Sequence, residues 1–186
     1  MSSAGLHRKL VVLGFRAVGK SSLTKQFVEK RFTENYDPTI ENTFRTTVQI
    51  KKVSFVCDIL DTAGQDEYSS ISHQASVGVH GYLLVFSVTS RHSLENIKMI
   101  HDKLLNLIGA EVVPCVLVGS KCDLDHQREV SHQEALQVAR NWGCQYIECS
   151  AKRNLNVTNV FHSLIEDIEK DTGLLRVSEG PRCSIL

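Results

Sequence analysis

The segment GFRAVGKS at residues 14–21 has the residue types and spacing to hold a chain of phosphates. It fits the pattern G-x-x-x-x-G-K-S, follows an apolar run, and precedes a helical spacing of Leu23, Phe27 and Val28. Glycines let backbone N–H groups curl around phosphate oxygens, and the helix N-terminus adds favourable partial charge. Lys20 is expected to reach the terminal phosphates, and Ser21 to offer a hydroxyl to Mg²⁺.

The segment DTAGQ at residues 61–65 could complete such a site. It follows an apolar run, and a doubly wound sheet presents its ligand crevice where its strands end. Asp61 could hold Mg²⁺ through water, and the N–H of Gly64 could approach a γ-phosphate. Gln65 could orient an attacking water. A surface turn of small residues would explain Gly64 but not the whole segment.

The segment YDPTI at residues 36–40 lies in a long polar connection. Long connections inside compact domains are often functional. Thr39 offers a second hydroxyl for Mg²⁺, and Pro38 limits the conformations of the loop. On its own, this pattern is equally typical of an ordinary loop.

Two further segments, GSKCD at 119–123 and CSAK at 149–152, end apolar runs and could bind a base. Asp123 could accept from two N–H groups of guanine, which adenine does not offer in that geometry. Lys121 would lie over the base and brace the phosphate loop, and CSAK could present backbone N–H groups to the guanine oxygen. Each segment alone is weak evidence, because strands commonly end in polar residues.

Apolar runs alternate with stretches of helical period, which predicts a three-layer α/β domain around a mostly parallel sheet of six strands. The run at 43–52 alternates polar and apolar residues, which indicates an edge strand hairpinned antiparallel onto its neighbour. Amphipathic helices are predicted at 94–108 and 157–168. The predicted strands are 9–14, 43–52, 53–60, 81–88, 112–119 and 144–150. The candidate segments therefore fall at the carboxyl ends of strands, along one edge of one sheet.

The composition suits one domain, predicted at 1–171, followed by a flexible tail at 172–186. Lys plus Arg equals Asp plus Glu, 21 each, so the charge balance does not favour a nucleic-acid partner. We expect no signal peptide, membrane span or zinc site. The six cysteines lack metal-site spacing, which favours reduced thiols in a cytosolic protein.

Together these segments resemble the Ras superfamily of small GTPases over about residues 7–171, and within it the Rheb branch. The Rheb-like marks are Arg16, YDPTIENTF (36–44), DTAGQDEYS (61–69) and GVHGYLLVFSVTS (78–90). The resemblance implies a P-loop NTPase fold of the Ras-like G-domain type, with Phe32 stacked edge-on against guanine.

The resemblance also assigns residues to roles. It implies catalytic roles for Gln65, Lys20, Thr39 and Arg16, and metal roles for Ser21, Thr39 and, through water, Asp61. The implied GTP-binding residues are Arg16, Ala17, Val18, Gly19, Lys20, Ser21, Ser22, Phe32, Thr33, Tyr36, Pro38, Thr39, Gly64, Ser120, Lys121, Asp123, Ser150, Ala151 and Lys152. The implied effector loop comprises Tyr36, Asp37, Pro38, Thr39, Ile40, Glu41, Asn42, Thr43 and Phe44.

The chain departs from the usual Ras pattern in the phosphate loop. Arg16 and Ala17 stand where Ras-type proteins usually have glycine. An arginine beside Gln65 and the γ-phosphate implies slow intrinsic hydrolysis and a tuberin-type activating protein that works without an arginine finger. Arg16 acting as an arginine finger itself is the alternative.

A second departure is Ser120, where the family motif has Asn. Serine is shorter and has one donor, and a lost hydrogen bond costs about 0.5–1.5 kcal/mol net. We expect faster nucleotide exchange, with guanine specificity retained through Asp123.

The chain ends in CSIL, which fits a C-a-a-X signal and predicts prenylation of Cys183 by a prenyltransferase. Leu at the last position is typical of geranylgeranyl, although Rheb-like proteins are usually farnesylated with Met there. Arg176 and Arg182 are the nearby basic residues, and stable anchoring usually takes two signals. We therefore expect dynamic attachment to the cytoplasmic face of internal membranes, endomembrane or lysosome, with a cytosolic pool.

The leading hypothesis is a GTP/GDP switch that needs Mg²⁺, in which the γ-phosphate orders residues 31–46 and 61–80. The implied effector is a TOR kinase complex. The alternatives are a constitutively GTP-loaded binding module with negligible hydrolysis and a Rheb-like paralogue with another effector. A P-loop kinase that uses ATP is disfavoured, because the sequence lacks an Arg-rich lid and Asp123 favours guanine.

Overall fold

The computed structural model describes residues 6–34, 38–66, 68–170 and 175. Its strands are β1 (Leu6–Gly14), β2 (Glu41–Ile50), β3 (Val53–Thr62), β4 (Gly81–Ser87), β5 (Cys115–Ser120) and β6 (Gln145–Glu148). Its α-helices are α1 (Lys20–Glu29), α2 (Arg91–Ile108), α3 (His132–Trp142) and α4 (Val157–Ile168). Apart from Leu175, the predicted tail 172–186, with Cys183, lies outside the described residues, as do the loop residues Tyr36 and Asp37.

The strands form one sheet in the order β2-β3-β1-β4-β5-β6. Only the β2–β3 pair is antiparallel among these neighbours, with Ile50 opposite Val53 across the turn. The predicted mostly parallel sheet with an antiparallel edge strand is confirmed. The edge strand ends two residues earlier than predicted, because Lys51 adopts a turn conformation with φ of +54°.

Helices cover both faces of the sheet, and the central strands are apolar on both sides. In β1, Leu10 and Val12 pack towards α1 and α4, whereas Val11 and Leu13 pack towards α2 and α3. All four side chains are fully buried. This two-sided burial explains why the strands read as continuous apolar runs.

Helix α2 begins three residues before its predicted start, because Ser90 caps it. The Ser90 side chain accepts a hydrogen bond from the N–H of Ser93, and Gly109 ends the helix with φ of +69°. The helix was predicted at 94–108 from its apolar stripe, which the structure buries from Leu94 to Leu104 but leaves exposed at Leu107 and Ile108.

The polar segments that follow the parallel strands start at the carboxyl edge of the sheet. Between β3 and β4 the described residues form one 3-10 turn, His73–Ala75, capped by the side chain of Ser72. The segments 61–65, 119–123 and 149–152 emerge at this edge together with the loop that precedes α1.

Candidate nucleotide-binding site

A cavity of about 420 Å³ opens at the carboxyl edge of the sheet. Its lining comes from the loops after β1, β3, β5 and β6 and from the segment between α1 and β2. Among the residues predicted to bind nucleotide, the following line it: Arg16, Ala17, Gly19, Lys20, Ser21, Ser22, Phe32, Thr33, Thr39, Gly64, Ser120, Lys121, Asp123, Ala151 and Lys152. The fold therefore brings five distant sequence segments to one place.

Lys20 begins α1 and lies buried inside the loop that precedes it. Its Nζ donates to the carbonyl oxygens of Gly14 and Phe15, at 3.0 Å each. Burial lowers the pKa of Lys20 to about 8, while the nearby Asp61 raises it. A Cβ at Gly14 would lie 2.2 Å from the carbonyl oxygen of Val85, so the loop requires glycine there. The sequence thus holds an ammonium group at the point where phosphates are expected.

Gly64 packs directly against the backbone of the phosphate loop. A Cβ at Gly64 would lie 2.4 Å from the Cα of Arg16, so no larger residue fits without movement. The next residue, Gln65, donates its backbone N–H to the carbonyl oxygen of Gly14 at 3.1 Å. The DTAGQ segment and the phosphate loop therefore form one wall of the cavity.

The side chain of Arg16 stacks on its neighbour. The guanidinium carbon lies 5.2 Å from the centre of the Phe15 ring, and this ring meets His92 of α2 edge-on with centroids 4.8 Å apart. Arg16 also lines the cavity. Its backbone contacts Gly64 while its side chain packs on Phe15.

Three oxygen-bearing side chains predicted to act with Mg²⁺ lie together. The hydroxyls of Ser21 and Thr39 are 2.7 Å apart. Asp61 is 1% exposed, and its Oδ1 has no hydrogen-bond partner in the described part of the chain. Burial raises the pKa of Asp61, while the Ser21 hydroxyl and Lys20 lower it.

This donor set fits Mg²⁺. Hard cations prefer oxygen ligands, and a buried carboxylate oxygen without a partner is costly unless a cation or water satisfies it. The described residues contain no cluster of three or more His, Cys, Asp or Glu side chains placed to hold a metal. The candidate site is therefore one carboxylate with two hydroxyls, close to where phosphate oxygens would lie.

Ser120 and Lys121 link the other end of the cavity to the phosphate loop. The Ser120 hydroxyl lies 2.5 Å from the carbonyl oxygen of Val18 and 2.9 Å from that of Phe86. Lys121 Nζ donates to the carbonyl oxygen of Ala17 at 2.8 Å, as its predicted bracing role requires. Burial lowers the pKa of Lys121.

The two predicted base-binding segments are joined through their backbones. The N–H of Cys149 donates to the carbonyl oxygen of Gly119 at 2.9 Å, and the N–H of Cys122 donates to that of Cys149 at 3.2 Å. These bonds place Asp123 and Ala151 on the same cavity wall. The arrangement suits a planar base whose edge faces Asp123.

A fork-shaped ion pair supports these two segments from behind. Arg128 donates through Nη1 and Nη2 to the two carboxylate oxygens of Glu148, at 2.9 Å each, and through Nε to Asp125 at 2.6 Å. Tyr146 also donates to Glu148, at 2.8 Å. Bidentate arginine pairs of this kind hold their partners in a fixed orientation.

Five residues predicted to bind nucleotide, to act in catalysis or to hold the metal do not line this cavity in the described part of the chain. Val18 is 2% exposed and belongs to the core, and Ser150 is buried with its Oγ accepting from the N–H of Arg153 at 3.0 Å. Pro38 is exposed at the surface. The other two are Asp61, which is buried as described above, and Gln65. Tyr36, also predicted to bind nucleotide, lies outside the described residues.

Gln65 lies on the other side of Gly64. Its side chain is 7% exposed, and its Oε1 has no hydrogen-bond partner in the described part of the chain. It lines a second cavity of about 340 Å³ together with Ile40, with Glu41 at the start of β2 and with residues of the segment after β3. Gln65 is therefore not among the residues that line the nucleotide cavity, although its backbone is bonded to the phosphate loop.

The predicted effector loop is described from Pro38 onwards. Ile40 is 89% exposed, and Glu41–Phe44 form the start of β2. Tyr68, which precedes Ser69 of the lining of the second cavity, is 88% exposed. Two large apolar side chains thus stand in solvent near the second cavity.

Several lining residues were not predicted from the sequence: Leu23, Lys25, Arg31, Glu34, Thr62, Leu124 and Cys149. Lys25 follows Ser21 by four residues on α1, so helical spacing could have placed it on the same face. Glu34 accepts a hydrogen bond from Lys152 Nζ at 2.7 Å, a contact across 118 residues. No local pattern signals such a contact.

A sequence profile of the Ras family matches residues 9–170. The chain belongs to the Ras family. The "GTP-binding protein Rheb homolog" of Dictyostelium discoideum is 49% identical over 164 residues, which cover 88% of this chain and 89% of that protein. The "GTP-binding protein rhb1" of Schizosaccharomyces pombe is 48% identical over 178 residues, 96% of each chain. Human "GTP-binding protein Rheb" is 45% identical over 180 residues, 96% of this chain and 97% of that protein.

The comparisons confirm the prediction of a Ras-family small GTPase most like Rheb. They also confirm the Ras-like G-domain fold. Guanine nucleotides as ligands follow from the family. The individual site residues of this Ras-family chain remain predictions, supported by the geometry above.

Proposed function

We propose that this Ras-family chain is a molecular switch that binds GTP and GDP together with Mg²⁺ and hydrolyses GTP slowly. One observation carries the proposal. The paired hydroxyls of Ser21 and Thr39 and the unpartnered oxygen of Asp61 lie beside Lys20, at one end of a cavity whose other end presents Asp123. This is a charge and donor pattern for triphosphate at one end and guanine at the other.

In this proposal each side chain has a role that follows from its position in the cavity. Lys20 would neutralise the terminal phosphates, and the Ser21 and Thr39 hydroxyls with the Asp61 carboxylate would hold the cation. Mg²⁺, when bound, would supply positive charge to the phosphate oxygens. Because Thr39 belongs to the segment before β2 and Gly64 to the segment after β3, both segments would be held only while the γ-phosphate is present.

Slow hydrolysis is supported by the position of Gln65. A residue that orients the attacking water must lie within hydrogen-bond reach of it, and Gln65 lines the second cavity and not the nucleotide cavity. The same observation favours the second candidate function, a binding module that stays loaded with GTP and hydrolyses it negligibly. The two candidates share the site and differ only in rate.

The test begins with full-length protein stripped of nucleotide. Calorimetry with GTP, GDP and ATP, each with and without Mg²⁺, should show tight binding of the guanine nucleotides only, strengthened by the cation. Asp123→Asn should weaken guanine binding and Asp61→Asn should remove the effect of Mg²⁺. Equal affinity for ATP and GTP would refute the proposal.

Single-turnover hydrolysis separates the two candidate functions. Protein loaded with GTP is followed with and without a tuberin-type activating protein. Stimulated release of phosphate supports the slow switch, whereas a rate that stays unchanged when the activator is added supports the permanently loaded module.

A small GTPase acts through regulators and effectors, and we propose a tuberin-type activator and a TOR kinase complex for this one. Support comes from the likeness to Rheb and from the exposed Ile40 and Tyr68 near the second cavity. A Rheb-like paralogue with another effector is the alternative. Binding of the TOR complex only to the GTP-loaded chain, and its loss in Ile40→Ala, would support the first reading.

We further propose prenylation of Cys183 by a prenyltransferase and attachment to the cytoplasmic face of internal membranes, with a cytosolic pool. Within the described residues, no helix has both the length and the apolar character needed to span a bilayer. Incorporation of labelled farnesyl or geranylgeranyl into the wild type and not into Cys183→Ser would identify the group. Membrane fractions that retain Cys183→Ser would contradict the proposal.

A further inference from the structure

Two cysteines meet at the edge of the sheet opposite the nucleotide cavity. Cys115 is the first residue of β5, and Cys144 immediately precedes β6. The two strands pair in parallel from Val116 opposite Gln145. The cysteines are therefore the next pair back in the same register, at the amino ends of the two strands.

The spacing of this pair suits a disulfide. Neighbouring strands lie about 4.7–4.9 Å apart, and disulfides join Cα atoms about 4.4–6.8 Å apart. Cys115 belongs to a buried core cluster, and Cys144 packs against the same cluster. Both are free thiols in this structure.

The two thiols are not equivalent. Cys115 is 2% exposed, whereas Cys144 is half-buried and reachable by a small solute. Interaction with the Cys115 thiol lowers the pKa of Cys144, although burial opposes this, and interaction with Cys144 together with burial raises the pKa of Cys115. An accessible, acidified thiol next to a buried partner is the usual arrangement of a redox-sensitive pair.

We propose that Cys115 and Cys144 form a peroxide-responsive dithiol that closes reversibly to a disulfide between β5 and the residue before β6. The Cys144 thiolate attacks one oxygen of hydrogen peroxide, the O–O bond breaks, and hydroxide leaves and takes up a proton as water. The resulting sulfenic acid is attacked by the Cys115 sulfur; the S–S bond forms, the S–O bond breaks, and the hydroxide leaves with the proton of the Cys115 thiol as a second water. Both sulfurs are oxidised and the peroxide is reduced.

The backbone around Cys144 is fixed in the position that this step requires. Gly143 ends α3 with φ of +68°, and the N–H of Cys144 donates to the carbonyl oxygen of Ala139 at 3.0 Å. Pairing with β4 holds the backbone of Cys115 on the other side, because Tyr82 of β4 lies opposite it. The second step therefore needs a rotation of side chains and not a rearrangement of strands.

The chain contains a natural comparison in Cys122 and Cys149. These cysteines are also neighbours, and Cys122 is half-buried like Cys144. Burial raises the pKa of Cys122, and that of Cys149 to about 12. This pair lacks the acidified thiol, so peroxide should select the first pair.

The experiment treats reduced, folded full-length protein with hydrogen peroxide and maps the product by mass spectrometry. Wild type should lose two hydrogen atoms and yield one cross-linked peptide pair containing Cys115 and Cys144, which a dithiol reductant reverses. Cys122→Ser should behave like wild type, and Cys144→Ser should not form the cross-link. Cys115→Ser should instead leave a sulfenic acid at Cys144 that dimedone traps.

The melting temperature of the wild-type protein gives a second readout, which needs no variant. Closing a loop between residues 115 and 144 restricts the unfolded chain, so the oxidised wild type should melt roughly 5–10 °C above the reduced form. A cross-link through Cys122 or Cys149 would overturn the proposal. So would sulfinic acid at Cys144 beside a free Cys115, a lack of reaction at Cys144, or a melting point that oxidation leaves unchanged or lowers.

Discussion

At the scale of single residues, Ser120 has one hydroxyl proton and two carbonyl oxygens within reach. Those oxygens belong to Val18 and Phe86, so the proton is engaged inside the protein. Towards the cavity the hydroxyl can then offer only lone pairs. An amide at this position has two N–H donors, so it could keep the link to Val18 and still donate to a base.

We therefore expect Ser120→Asn to slow the release of GDP by about two- to tenfold, which corresponds to one recovered hydrogen bond. Dissociation of a fluorescent GDP analogue, chased with excess GDP, measures the rate. The matched control is Ser120→Ala, which loses both carbonyl contacts and should release GDP faster than wild type. An unchanged rate in Ser120→Asn would contradict this account.

Gln65 offers a second test at the residue scale. Because its amide oxygen is buried without a partner in the described chain, Gln65→Leu should raise the free energy of unfolding by about 1 kcal/mol. Its intrinsic GTP hydrolysis should change by less than about threefold, since the side chain lies outside the nucleotide cavity. Urea unfolding and single-turnover assays measure the two quantities. A large loss of hydrolysis would show that Gln65 moves into the site when nucleotide binds.

At the scale of elements, Asp58 of β3 joins three strands. It lies opposite Arg45 of β2, which donates to its two carboxylate oxygens at 2.6 and 2.9 Å. His7 of β1 lies 2.8 Å from it on the other side. The hydrogen bond from Arg45, followed by that from His7 and opposed by burial, lowers the pKa of Asp58 to about 2.

A lowered pKa means that Asp58 stabilises the fold above its unfolded pKa of about 3.9 and loses this effect as pH falls towards 2. Asp58→Asn should therefore lower the free energy of unfolding at pH 7 by about 1 kcal/mol. This value is smaller than the pKa change alone would give, because water screens the exposed guanidinium of Arg45. Chemical unfolding of both proteins across pH 2–7 measures the difference. It should shrink between about pH 4 and 2; a constant difference would contradict the assignment.

The elements that sequence patterns predicted are those with large apolar side chains. Helix α2 and the strands have them, but the buried residues of α3 are only Ala135 and Ala139. Short side chains give a weak apolar stripe, so α3 was not predicted by position, although Ser131 caps its start and Gly143 its end. Caps mark where a helix can begin but do not show that one forms.

The residues of the candidate site also fall into those that the sequence could place and those that it could not. Residues at the carboxyl ends of parallel strands could be placed together from the sequence, because such ends meet at one edge. The contact of Glu34 with Lys152 and the turn of Gln65 into the second cavity depend on the paths of irregular loops. Those paths are set by tertiary packing, such as that of Gly64 on Arg16, which leaves no periodic pattern.

At the scale of the whole molecule, the ends of the domain are tied by a buried ion pair. Arg8 at the start of β1 donates through Nε to Glu169, just after α4, at 2.5 Å. The Glu169 side chain is fully buried, and Arg8 also lies over the ring of Phe55 at 5.7 Å. Removing one member of such a pair leaves the other charge in the interior.

We expect Arg8→Met to lower the free energy of unfolding by about 3 kcal/mol. The matched control is Lys98→Met, which breaks the exposed pair with Glu95 and should cost less than about 1 kcal/mol. Urea unfolding at neutral pH measures both. Combining Arg8→Met with Glu169→Gln should recover part of the loss. Equal losses of stability in Arg8→Met and Lys98→Met would contradict a special role for the buried pair.

The contact between Lys152 and Glu34 has a kinetic consequence. Both side chains stand mostly in water, 57% and 72% exposed, yet they join opposite rims of the opening through which a ligand must leave. Dissolved ions weaken such an attraction. The residence time of a guanine nucleotide should therefore shorten as potassium chloride is added, and this sensitivity should be smaller in Glu34→Gln. Nucleotide release measured across a series of potassium chloride concentrations, for wild type and for Glu34→Gln, would reveal whether this ion pair slows release.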